Sequence, residues 1–147
     1  MFADLLNRLL APAPSALPAP EADLSLAALL VRLARADDHY DDDERVRIDR
    51  VLSARKGLTM PDAAALRARA EALESEAPDT VRFTRSLKEA VPYEDRTEVI
   101  EALWDVALAD GHRDAEEDAL IRLVANLLGV SDRDSALARQ RVAARRL

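Results

Sequence analysis

Apolar residues recur along most of this chain at spacings of three and four, which places them on one face of an α-helix. Phe2, Leu5, Leu6, Leu9 and Leu10 make a first short amphipathic stripe. Residues 11–20 hold four prolines, so the stretch 11–22 is predicted to be a semi-extended linker to the main domain at 23–147. Asp23 is placed to cap a helix reaching about Asp37, with Leu26, Leu29, Leu30 and Leu33 on its inner face. Asp41 opens the next, which turns Ile48, Val51 and Leu52 inward and stops near Gly57. Thr59, followed by Pro61 and Asp62, opens a third to about Glu76. Pro78 closes it, a shorter helix covers about 79–90, and Pro92 precedes another from about 93 to 110. Asp114 caps a helix ending at Gly129, and Ser131 caps a last one. The expected fold is all-α: a compact bundle of about seven helices, plus the short helix at 1–10.

Composition supports this pattern. Hydrophobic residues are 49% but aromatics only 3%, so the core must be built from Leu, Val, Ile and Ala. Strong helix formers dominate and glycines number three. The net charge of −7 argues against a nucleic-acid partner, which would call for a basic stripe. Without cysteine, disulfides, thiolate metal sites and a Cys nucleophile are all excluded. No apolar run approaches the ~20 residues that span a bilayer, and the N-terminus makes a poor signal peptide, so a cytoplasmic location is expected. The charge is unevenly spread: six acids fall within Asp37–Glu44, and five arginines within the last fifteen residues.

Sliding the chain against itself by 73 residues shows an internal duplication. Ala34/Ala107, Ala36/Ala109, Asp37/Asp110, His39/His112, Asp41/Asp114 and Glu44/Glu117 coincide, as do Ile48/Ile121 and Val51/Val124. Gly57 meets Gly129 after one deletion. Each half therefore carries the same helix, acidic turn and helix, and the two units are expected to pack pseudo-symmetrically.

Two readings of the acids compete. Asp41-x-x-Glu44 and Asp114-x-x-Glu117 have the form of capping boxes, and acids suit the first turn of a helix. Asp37 and Asp110 instead end their helices, where negative charge opposes the dipole. Helical phase puts Asp37, Glu44, Asp110 and Glu117 at the edge of core-facing stripes, and carboxylates clustered there need cations or donors. Either arginines supply the charge, or a divalent cation does. For the latter, Asp37, Asp41, Glu44, Asp110, Asp114 and Glu117 are the candidate ligands. Ca²⁺ or Mg²⁺ suits oxygen ligands, and Mn²⁺ or Zn²⁺ becomes suitable if His39 or His112 turns inward. An EF-hand is excluded, because the twelfth position from Asp37 or Asp110 is Ile48 or Ile121 where a glutamate is required.

The repeated Ala-Asp-(Asp/Gly)-His-x-Asp-x-x-Glu pattern, followed by Ile and Val at helical spacing, resembles the TerB family of tellurite-resistance-associated proteins. It is also similar to the TerB-like domain of a membrane-anchored DnaJ-type co-chaperone. The resemblance covers about residues 23–130, and the second copy, with Asp110-Gly111, is closer to the pattern than the first, where Asp38 replaces the glycine. It implies a bundle of about seven helices with two pseudo-symmetric halves, in a bacterial cytoplasmic or membrane-associated protein with acidic positions suited to divalent metal.

Catalysis finds little footing: no Gly-rich phosphate loop, no His-Glu-x-x-His and no nucleophile beside a base. The expected role is a binding or adaptor module of metal or stress response with a protein partner, membrane-associated stress-response proteins included. The alternative is a metal-free interaction domain whose acidic surface recognises a basic segment. Trp104 is expected to pack at the core boundary with its N–H seeking a partner. The C-terminal arginines Arg133, Arg139, Arg141, Arg145 and Arg146 are expected to pair with the acidic run Asp41–Glu44, contact a partner, or serve as the basic end of the last helix.

Overall fold

The computed structural model describes residues 19–36, 40–76, 80–109 and 114–145. The proposed helix at 1–10 and most of the proposed linker lie outside them. The described residues form seven α-helices: α1 (Ala19–Arg35), α2 (Asp42–Lys56), α3 (Met60–Glu76), α4 (Val81–Ala90), α5 (Arg96–Ala107), α6 (Ala115–Leu128) and α7 (Asp132–Arg145). A 3₁₀ turn, Tyr93–Asp95, leads into α5.

The cap residues of α2, α3, α6 and α7 act as their sequence positions predict. Asp41 accepts from the Glu44 amide at 3.0 Å, and Asp114 from the Glu116 and Glu117 amides at 2.7 and 3.1 Å. Gly57 and Gly129 end α2 and α6 at φ 65° and 76°, in the left-handed region where a side chain would be strained. The amides that follow reach back to close each end, Leu58 to the Ser53 carbonyl and Val130 to the Ala125 carbonyl. Thr59 and Ser131 then cap the next helices through the Asp62 and Asp134 amides. The duplicated unit is thus three helices long, one more than the acidic motif alone indicates. Thr59-x-x-Asp62 and Ser131-x-x-Asp134 are its continuation in register with the two glycines.

Helix α1 differs from expectation in two ways. It begins at Ala19 and takes in 19–22, the end of the stretch read as linker. Pro20 falls in its first turn, where the missing N–H has no helical acceptor to lose. Asp23 is consequently inside the helix rather than capping it, and pairs with Lys56 of α2 at 3.1 Å. The second difference is burial. Every residue from Ser25 to Val31 is buried, not one face alone, because α2, α3, α4, α5 and α6 surround the helix.

Exchanging α1, α2 and α3 for α5, α6 and α7 reproduces the packing. α1 meets α2 and α3 as α5 meets α6 and α7; α2 reaches α5 as α6 reaches α1; and α1 crosses α5 at the centre. Leu29, Leu30, Leu33, Ile48 and Leu52 from the first unit meet Ile100, Leu103, Ile121 and Leu128 from the second in one core. Helix α4 sits outside this symmetry, against α1 and α6, and inserts Phe83 and Leu87.

Candidate functional site

The two acidic turns join α1 to α2 and α5 to α6. Asp37, Asp38 and His39 of the first lie outside the described residues, as do Asp110, Gly111, His112 and Arg113 of the second. The predicted ligands Asp37 and Asp110 are among these. Of the other four, Asp41 is exposed, Glu44 and Asp114 half-buried, and Glu117 buried at 6% exposure. Each Asp joins its Glu through the cap: Asp41 Oδ1 binds the Glu44 amide, and Asp114 Oδ1 binds the Glu117 amide. The N-terminal half of the capping-box reading is therefore correct in both units. Among the described residues no three or more Asp, Glu or His side chains gather into a metal-binding group.

A cluster that sequence reasoning missed braces the first turn. Tyr40 lies between two guanidinium groups, Arg35 at 4.9 Å and Arg45 at 4.7 Å from its ring centre. Such stacking suits arginine, whose planar cation is weakly hydrated. Arg45 also pairs with Asp42 at 2.8 Å and Glu71 at 3.2 Å, so it ties the start of α2 to α3. Behind it Arg67 bridges Asp49, itself buried, and Glu71. Burial pushes the Tyr40 phenol well above its ordinary value, and nearby Glu71 raises it further. The buried hydroxyl is close enough to feel that carboxylate yet makes no hydrogen bond of normal geometry among the described residues. Burial also raises Glu71, but its contacts to Tyr40 and Arg45 outweigh this and hold it below the carboxylate range. Tyr40 was the available signal, the lone aromatic within an acidic run; its partners lie on three helices and leave no local pattern.

The C-terminal arginines resolve differently from the acidic-run alternative. Arg141 and Arg145 both bind Glu101 of α5, which also receives Arg55 from α2. Arg55 further binds Asp105 at 2.7 Å. Arg139 lies over the Trp104 ring, and the Trp104 Nε1–H donates to Ser135 Oγ at 3.2 Å, which supplies its expected partner.

The end of α5 has a neighbour in the first unit. An open groove of about 420 Å³ runs between α2 and the end of α5, walled by Asp43, Val46, Arg47, Arg50, Val51 and Ala109. The start of α2 in one unit thus lies beside the end of α5 in the other. Among the described residues no helix is long and apolar enough to cross a membrane.

No curated protein and no solved structure matches this chain. A family model described as tellurite resistance protein TerB matches residues 23–140. That span starts within α1, ends within α7 and includes both acidic turns. The chain belongs to the TerB family.

Proposed function

We propose that this protein is a cytoplasmic binding module of metal or stress response, not an enzyme, whose duplicated acidic turns take up a divalent cation. The observation that carries the reading is Glu117, a carboxylate only 6% exposed that follows the Asp114 cap by three residues. Glu44 and Asp41 repeat the arrangement. Glu117 and Glu44 both have partners within the chain, and a cation at such a sheltered carboxylate would add to them. The Oδ2 of the cap aspartate, the following glutamate and Asp37 or Asp110 would offer hard oxygen ligands for Ca²⁺ or Mg²⁺. His39 and His112 would extend the set to Mn²⁺ or Zn²⁺. The module's partner is a protein of the stress response, membrane-associated ones included.

Melting curves with EDTA and with each of the four ions test this. A cation that binds only the folded chain stabilises it by about 2.7 kcal/mol at a hundredfold excess over its Kd. Asp110→Asn keeps the side-chain shape, removes the charge and abolishes that gain. No shift with any ion would overturn the cation reading. The reading left is a metal-free module that uses the exposed Asp41, Asp42 and Asp43 to hold a basic segment.

A further inference from the structure

Arg47 and Arg50, one helical turn apart on α2, are set apart from the arginines that stitch the bundle together. Both line the open groove against Ala109, and neither has an ion-pair or hydrogen-bond partner among the described residues. Between them and Asp43 lies Val46, 40% exposed, with Val51 below. The duplication supplies an internal control. At the matching positions of α6 the chain has Leu120 and Leu123. The helical frame therefore accepts leucine at these two places, and nothing in the repeat requires cations there.

We propose that this groove docks an acidic peptide segment of a partner protein, its carboxylates on Arg47 and Arg50 and a neighbouring aliphatic side chain over Val46. Charge complementarity carries the choice of occupant. A guanidinium presents a planar fork of donors that matches a carboxylate, and two on one face can engage adjacent acids of an extended segment. The Val46–Val51 floor removes water from one side of that pairing, which strengthens it. Asp43, about two turns back along α2, repels acid at its end of the groove and so orients the segment with its acids toward Arg50. The chain's overall charge of −7 works against acidic ligands in general, so capture here depends on the two local arginines. The proposal is independent of cation uptake and opposite in sign to the acidic-surface alternative.

The test uses the full ¹⁵N-labelled chain in EDTA, titrated with the peptide Glu-Glu-Leu-Glu-Glu-Leu and, as control, the analogue with lysine for every glutamate. Saturable shifts at Val46, Arg47, Arg50, Val51 and Ala109 with the acidic peptide alone are expected. The double variant Arg47→Leu/Arg50→Leu, which copies the other half, folds normally and binds at least tenfold more weakly. Arg69→Glu, an equal change of charge at an exposed position on α3, leaves binding within twofold. The proposal is overturned by the absence of saturable shifts in the groove, by their persistence in the double variant, or by an equal loss in Arg69→Glu. Because EDTA is present throughout, failure here leaves the cation reading untouched, and loss of the metal-dependent melting shift leaves this one untouched.

Discussion

The two units of the bundle share their backbone devices and reverse their charges. In the first, the core helix α1 supplies the cations and its outer helix the acid: Arg32 and Arg35 converge on Glu74 of α3. In the second the core helix is acidic and the outer one basic: Glu101 of α5 receives Arg141 and Arg145 of α7. Meanwhile the Asp cap, the left-handed glycine, the returning amide and the Ser/Thr cap occupy the same places in both. Backbone groups at a helix end need a partner of one particular type at one particular position. An ion pair between two helices asks only for opposite signs, so either helix can hold either charge. Within these helix pairs the donors of the first unit are the better buried: Arg32 and Arg35 are 17% and 34% exposed, against 49% and 56% for Arg141 and Arg145, while Arg55, the third donor to Glu101, is 18% exposed.

Paired substitutions at equivalent positions break or sharpen this comparison. The largest effects belong to the shared core. Leu30→Ala and Leu103→Ala, both fully buried where α1 crosses α5, should each cost about 2–5 kcal/mol in chemical denaturation. Values differing by more than the spread of such cavities would show that the two units do not share one core equally.

Next come the acids at the centre of each charge cluster. Glu74→Gln and Glu101→Gln should each cost about 1–3 kcal/mol, Glu74→Gln the more, because Arg141 and Arg145 can turn to water and Arg55 keeps Asp105, whereas Arg32 and Arg35 are more enclosed. Equal losses would contradict that ranking. The acid limb separates them further. Burial raises the Glu101 carboxyl, but hydrogen bonds from Arg145 and Arg141 overcome this and set it below its ordinary value of 4.5. A depressed pKa gives stability that is complete above that value and lost as pH falls through the lower, folded one. Denaturation followed from pH 6 to pH 2 should therefore steepen below about pH 4.5, and Glu101→Gln should flatten this limb.

Smaller effects fall on the helix ends. Gly57→Ala and Gly129→Ala should cost about 1–2 kcal/mol each from the left-handed backbone, and should match. A Cβ at Gly57 meets nothing within 4 Å, and at Gly129 only an ordinary contact with Tyr93 at 3.6 Å, so packing adds little to either. Asp41→Ala and Asp114→Ala should cost about 0.5–2 kcal/mol, Asp114→Ala the more, since Asp114 holds two amides and Asp41 one. Thermal melts of the pair would decide; a larger loss at Asp41 would mean that the Tyr40 stack, not the cap, secures the first turn.

Read alone, the sequence determined what depends on neighbours within four residues of the chain. The helical periods, the Asp and Ser/Thr caps, the glycine stops and the register of the duplication are of this kind, because a cap or a left-handed turn is satisfied locally. The starts of α2 and α6 were legible for the same reason, down to the half-buried Glu44 and buried Glu117 expected from helical phase. Tertiary structure alone decided the rest. Burial of α1 on every side came from the five helices that touch it. The start of α1 at Ala19 departed from a composition rule that treats prolines as breakers wherever they fall. Arg141 and Arg145 could have met any of many acids in an acidic chain, and only the packing of α7 on α5 selected Glu101. Tyr40 lay in plain sight, but its place between Arg35 and Arg45 depends on how two helices converge across a turn, and pairwise spacing along a chain does not encode that distance.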